Sequence, residues 1–385
     1  MDAAITNEHD RIREAIRGIC ADFPGAYWQA LDRERAYPET FVQALTEGGW
    51  LSVLIPEAYG GIGSGVLEAS IILEEIHRSG GNAAACHAQM YVMGTLLRHG
   101  TEEQKQRYLP RIARGELRMQ AFGVTEPNAG SNTPAIETTA RRDGDHYVIN
   151  GQKIFISRVQ QSDLMLLLAR TAPYDESDRA ANLSTFLVDL RQAGSSVRAE
   201  PLETMINHAT NVVYIEDLRV PVESRIGEQG RGFRYILDGM NVERILIAAE
   251  CIGDAYFFID RGSAYAAERE VFDRPIGQNQ GVQFPLAAAY AETQAADLMR
   301  WKAASMADAG QKVAAEANMA KYLASEASWK AADACMSTFG GYGLASEYDI
   351  ERKFRETRLY RIAPVANNLI LAYLAHSVLG MPKSY

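Results

Sequence analysis

The chain is poor in the residues that would bind metal, close disulfides or cross a membrane. Its 385 residues hold four cysteines, Cys20, Cys86, Cys251 and Cys335, far apart and without a CxxC pair. That pattern implies neither a disulfide frame nor a zinc site and predicts buried or free thiols in a reducing cytoplasm. The seven histidines show no metal spacing either. No apolar run approaches the roughly 18 uninterrupted residues of a membrane span. The N-terminus mixes charge with apolar residues at helical spacing, unlike a signal peptide. Positive charge is also short: 39 Lys and Arg against 49 Asp and Glu give a net charge of −10, with no basic stripe for a nucleic acid.

What is present is a change of texture along the chain, helical, then β, then helical, which predicts an α+β protein. Residues 1–120 carry apolar positions three and four apart, as in ETFVQALTEGGWLSVL, and TEEQKQRYLPRIARGE opens on Thr101 as an N-cap with Pro110 inside. Residues 121–224 hold short β-rich runs, HYVINGQKIFIS, DLMLLLAR, STFLVDL and NVVYIEDLRV, separated by turn signals such as DGD and NG. From 225 to 385 the helical period returns in long, Ala-rich blocks. GGIGSG, from Gly60 to Gly65, does not have phosphate-loop spacing and reads as a turn.

Five motifs matter through their order and spacing: FGVTEPNAGSN from Phe122, NGQKIFIS from Asn150, ERILIAAECIG from Glu243, EREVFDRPIGQNQGVQF from Glu268, and FGGYG from Phe339. Together, over essentially the whole chain, they resemble the acyl-CoA dehydrogenase family. The resemblance implies an N-terminal helical domain (1–120), a middle β-barrel domain (121–224) and a C-terminal four-helix bundle (225–385). It also implies FAD as cofactor, an acyl-CoA substrate, an electron-transferring flavoprotein as acceptor, and a homotetramer or dimer. By position match, Phe122, Val124 and Thr125 line the isoalloxazine, and Ser131 lies near the phosphates or the thioester end. Phe155 stands where many relatives carry Trp, and Ser157 where Thr is common. Arg269 and Phe272 match positions that reach the FAD of a partner subunit, and Gln280, Gly340 and Gly341 fit the same site. An arginine fork suits a diphosphate, and glycine lets backbone come close to it. Ser337, Ala366 and Asn368 depart from the pattern and remove expected contacts.

The family reaction needs a carboxylate to take the α-proton of the thioester. In many relatives it follows the RLYRI stretch, but here the matching residues are Ala363 and Pro364, which cannot ionise. Isovaleryl- and long-chain-type relatives carry the base on a helix, in a sequence resembling L-D-x-E-R, and this chain reads MNVER with Glu243 at that position. Ile236, Met240, Glu243, Ile247 and Glu250 fall on one helical face, so Glu243 interrupts an apolar stripe. Glu250 is the second candidate. Asn241 and Arg244 are expected at the CoA side. A flavin monooxygenase or oxidase of the same fold, or an inactive subunit that binds FAD or acyl-CoA, are the competing expectations.

Overall fold

The computed structural model describes residues 7–384; the other residues of the predicted N-terminal helical domain, 1–6, and Tyr385 lie outside it. Helices α1 (Asn7–Ala21), α2 (Gly25–Glu34), α3 (Glu39–Glu47), α4 (Val66–Arg78), α5 (Ala84–His99) and α6 (Glu102–Ala113) come first. Strands β1 (Ala121–Gly123), β2 (Thr139–Asp143), β3 (His146–Ser157), β4 (Leu164–Arg170), β5 (Leu183–Asp189), β6 (Val197–Pro201), β7 (Thr210–Pro221) and β8 (Arg225–Ile226) follow. Then come α7 (Gly232–Glu268), a small hairpin of β9 (Glu270–Val271) and β10 (Arg274–Pro275), α8 (Gln280–Asp308), α9 (Ala314–Phe339), α10 (Ile350–Arg358) and α11 (Asn367–Tyr373). The chain packs as two compact units that interleave in sequence: a sheet unit (35–64 and 84–240) and a helical unit (1–34, 65–83 and 241–385).

The sheet unit is built on one eight-stranded sheet in the order β6-β7-β3-β2-β4-β5-β8, with β1 added in parallel to β4. The run LMLLLAR of β4 is apolar at nearly every position because both its faces are covered. Met165, Leu167 and Ala169 enter the cluster of Tyr147, Ile149, Phe186 and Val213. Leu164 and Leu166 enter the cluster of Val92, Leu96, Leu109 and Ile112 from α5 and α6. The DGD signal is a two-residue hairpin, with Asp143 paired to His146 and Gly144 at φ 62. The NG signal is not a turn. Asn150 and Gly151 lie inside β3, where the register against β7 shifts between Ile149 and Gly151. A Cβ on Gly151 would come within 2.3 Å of the Thr138 hydroxyl, so the glycine serves a close approach rather than a reversal.

The helical unit packs small residues closely. Ala317, Ala320, Ala324, Ala327 and Ala331 of α9 are all buried, and Gly253 of α7 lies so near α4 that a Cβ would sit 2.3 Å from the Glu74 carbonyl. Phe257, Phe258, Cys335, Phe339 and Ile350 complete one core cluster. All four cysteines are buried thiols.

Candidate active site

In the sheet unit the FGVTEP segment is clamped between strands. Phe122 pairs with Leu166 of β4, and its half-buried ring meets the edge of Tyr91 at 5.4 Å. Val124 is buried in the cluster of Ala129, Ile136, Leu168 and Ile236. The next two residues are tied to β3: Ile154 donates its N–H to the Thr125 carbonyl at 2.9 Å, and Lys153 donates to the Val124 carbonyl (3.1 Å) and to Glu126 (2.8 Å). The Glu126 carboxylate also accepts from the amides of Glu137 and Thr138 at 2.5 and 3.0 Å. Burial works against its charge, but Lys153 and these amides outweigh burial and hold it below the usual carboxylate range. The acid of VTEP and the lysine of NGQK are therefore a buried ion pair, the device that registers one motif against the other. Both sat in the quoted motifs as opposite charges within apolar runs, and sequence reading gave neither a role.

The same clamp presents Phe155. It stands at the second register shift of β3, between Lys153 and Ile156, with φ 60, and is 60 % exposed. A large aromatic held in the left-handed region and turned outward is strained, and such strain marks a position kept for contact with something else. Ser157 follows half-buried, its hydroxyl 3.4 Å from that of Thr210, and Ser131 lies exposed on the loop after β1. The sheet unit thus brings together Phe122, Val124, Thr125 and Phe155.

The helical unit holds a second group. The β9–β10 hairpin turns through Phe272 and Asp273 at φ 54 and 59, and Phe272 is 93 % exposed. Two positive φ values are usual for Asn-Gly in such a turn, not for phenylalanine. Arg269, at the base of the hairpin, lies 5.9 Å over the Tyr342 ring in the turn after α9. Gly340 ends α9 at φ 59, ψ −132, and a Cβ on Gly340 or Gly341 would meet nothing within 4 Å. Gln280 opens α8, exposed. In the helical unit an arginine fork and open glycine backbone suit a dinucleotide diphosphate, and in each unit an outward aromatic, Phe155 or Phe272, suits a flat ring, so each group by itself fits a part of FAD.

On α7 the stretch Val242–Glu250 is buried throughout, and Glu243 is 4 % exposed. Arg244 beside it is also buried; its Nη1 donates to the Asn241 side chain at 2.9 Å. Burial pulls the Arg244 guanidinium below its ordinary pKa, with Glu243 and then Tyr373 acting against that. Glu250 has different company. It lies 4.0 Å from His77 Nε2, in a buried network where Asp254 meets His77 at 2.7 Å and Lys353 at 2.5 Å, and Lys353 meets Glu356 at 3.2 Å. The Ala83 amide donates to His77 Nε2 at 3.1 Å, so the ring proton sits on Nδ1 and points to Asp254. Ala363 and Pro364 are half-buried and bring no ionisable group.

Family models cover nearly all of this arrangement: the acyl-CoA dehydrogenase N-terminal domain over residues 6–116, the middle domain over 121–218 and the C-terminal domain over 230–379. The acyl-CoA dehydrogenase FadE12 of Mycobacterium tuberculosis is 36 % identical over 387 residues, covering 99 % of this chain and 98 % of its own. The chain belongs to the acyl-CoA dehydrogenase family. Among solved structures, a glutaryl-CoA dehydrogenase in complex with glutaryl-CoA superposes with a TM-score of 0.92 at 31 % identity, over 100 % of this chain and 98 % of that one. Butyryl-CoA dehydrogenase of Megasphaera elsdenii gives a TM-score of 0.93 at 26 % identity, over 98 % and 100 %. The acyl-CoA dehydrogenase fold expected from the motifs is therefore the fold of this protein: helices, a middle sheet and a C-terminal helical part.

Proposed function

We propose that this protein is an FAD-dependent acyl-CoA dehydrogenase that converts an acyl-CoA thioester to the trans-2-enoyl-CoA, with Glu243 as the base. The observation that carries the assignment of the base is the burial of Glu243 inside an unbroken buried stretch of α7, while Ala363 and Pro364 offer no acid. A carboxylate out of water is a stronger base toward the α-carbon than an exposed one. Glu243 takes the α-proton onto its carboxylate oxygen. Arg244, bonded to Asn241, keeps a positive charge beside that carboxylate and, with Asn241, borders the CoA chain. FAD, when bound, would supply the acceptor for the hydride that leaves the β-carbon. Phe122, Val124, Thr125, Phe155 and Ser157 hold its ring system and keep water from it, and Ser131 lies toward the phosphates or the thioester. Arg269, Phe272, Gln280, Gly340 and Gly341 hold the dinucleotide end of a neighbouring subunit's FAD in a homotetramer or dimer. An electron-transferring flavoprotein is the acceptor, and four buried thiols fit a reducing cytoplasm. The family models break between 116 and 121 and between 218 and 230, in support of domain junctions near 120 and 224.

The test is the flavin spectrum of purified protein during anaerobic titration with short, branched and long acyl-CoAs, for wild type and Glu243→Gln. Wild type bleaches, and Glu243→Gln keeps FAD but bleaches at least about a hundredfold more slowly, the lower bound for losing a general base. Absence of bleaching in wild type with every ester, with FAD bound, overturns the dehydrogenase and leaves an oxidase or an inactive subunit.

A further inference from the structure

Two buried cations of the helical unit have no carboxylate within ion-pair distance among the described residues, Arg244 and Lys321. The others are matched: Arg300 to Glu74 and Asp297, Arg352 to Asp349 and Glu356, Lys353 to Asp254 and Glu356. Lys321, on α9 and fully buried, spends its ammonium on neutral oxygens, donating to the Val365 carbonyl at 2.8 Å and to Asn367 Oδ1 at 2.7 Å. Asn367 passes the contact back to α9 through its amide, which donates to Ser325 Oγ (3.0 Å) and Glu326 (2.8 Å). Arg361 donates to the same Glu326 at 2.8 Å. The segment from Ala363 to Ala366 is therefore fastened to α9 at both ends. It is also the segment in which many relatives carry their base. Burial brings the Lys321 amine down to about 8, with Cys251 and Glu326 opposing this and Arg244 and Arg361 adding to it. A neutral amine still has two N–H groups for the same two oxygens, so the fastening does not need the charge.

We propose that Lys321 is a positioning residue for the acyl-side wall: by holding Val365 and Asn367 it fixes the Ala363–Ala366 segment and, through it, which acyl groups the protein accepts. This rests on the dehydrogenase reading above. A buried lysine that serves only hydrogen-bond geometry is hard to account for as a stabiliser, since a well-packed apolar residue would avoid its desolvation. A wall that must hold one shape against a variable acyl chain does account for it.

The experiment compares kcat/KM for isovaleryl-CoA and butyryl-CoA in the FAD-loaded wild type, Lys321→Met, Asn367→Leu, the double variant and Arg355→Gln. Arg355 pairs with Asp32 on α2 and with Glu351 on its own helix. The expected result is a shift of the isovaleryl-to-butyryl ratio by at least about threefold in Lys321→Met and in Asn367→Leu, with no further shift in the double variant. Arg355→Gln lowers the unfolding midpoint and leaves the ratio unchanged. A wild-type ratio in the folded single variants, or an equal shift in Arg355→Gln, overturns the proposal. Should Lys321→Met fail to fold, Asn367→Leu decides alone. A wild type that oxidises none of the short, branched and long esters removes the dehydrogenase reading and this one with it, an outcome visible before any variant is made.

Discussion

The sheet unit and the helical unit bury lysine in different company. In the sheet unit Lys153 meets a carboxylate, Glu126, at 2.8 Å. In the helical unit Lys353 meets two carboxylates, while Lys321 meets only a carbonyl and an amide oxygen. Lys153 and Lys321 are nevertheless both brought down to about 8, burial being the leading cause for each. One carboxylate does not return the pKa of an amine removed this far from water to its ordinary value. What such lysines secure is direction. Strands already receive direction from their ladders, and the sheet unit places the buried Lys153–Glu126 pair where β1 runs out and the VTEP segment begins. Helices have no ladder between them, and the helical unit ties α1, α4, α7, α8 and α10 with Arg13, Arg300 and Lys353.

The sharpest way to break this comparison is to remove each helical-unit lysine in turn. Lys353→Met strips the ammonium from Asp254 and Glu356, two buried carboxylates, and is expected to cost about 3–5 kcal/mol. Lys321→Met leaves neutral oxygens behind and is expected to cost about 1–3 kcal/mol. Urea unfolding of the two variants measures both. Equal losses would show that the carboxylates around Lys353 add nothing to its hold.

Acid separates the networks next. Burial raises the Glu356 carboxyl, but Arg352, Lys353 and His77 outweigh it and hold it at about 2 against an ordinary 4.5. A depressed acid contributes stability that is complete above pH 4.5 and is lost as pH falls toward 2. The shift corresponds to about 3 kcal/mol. Glu356→Gln is expected to be less stable than wild type at pH 7, with the gap closing between pH 4.5 and 2. A constant gap over that window would remove the electrostatic account.

The helical-unit pairs that join different helices were not legible in the sequence. Arg13 and Glu74 are 61 residues apart, and Arg300 and Glu74 are 226 apart. No spacing rule joins residues whose meeting depends on which helices pack. What was legible was local or motif-borne. The β4 strand follows from its short apolar run, the DGD hairpin from its turn residues, and the helix that carries Glu243 from the 3.6 period. Asn150–Gly151 misled for a physical reason: the glycine is demanded by Thr138, just before β2, a non-local contact with the local signature of a turn. The site divides along the same line. Motif positions pointed to Phe155, Arg269 and Gly340, but Lys153 and Glu126, which tie the VTEP segment to β3, and Lys321, which holds Val365 and Asn367, speak only through partners.

Glu126→Gln tests the sheet-unit pair. It keeps the shape and removes the charge that Lys153 meets, with an expected loss of about 1.5–3 kcal/mol, the range for a hydrogen bond to a charged group. FAD content should fall with it, because the Phe122–Thr125 segment loses its register against β3. Stability lost with FAD content unchanged would make the pair a fold element only.

The smallest effect is local and lies outside any ion pair. Thr101 accepts from the Gln104 amide at 3.2 Å and Gln104 Oε1 accepts from Thr101 N–H at 2.9 Å, a reciprocal cap on α6 that the sequence announced through Thr101. Gln104 also reaches beyond its helix, donating to the carbonyls of Glu223 and Arg225 at 2.7 and 3.1 Å. Thr101→Ala should therefore cost about 1 kcal/mol if the cap alone is lost, with Thr101→Ser restoring it. A loss well above 2 kcal/mol would mean that the cap holds Gln104 on Glu223 and Arg225. The sheet unit would then also depend on a polar side chain to join its elements, and the contrast with the helical unit would narrow to the charge those side chains carry.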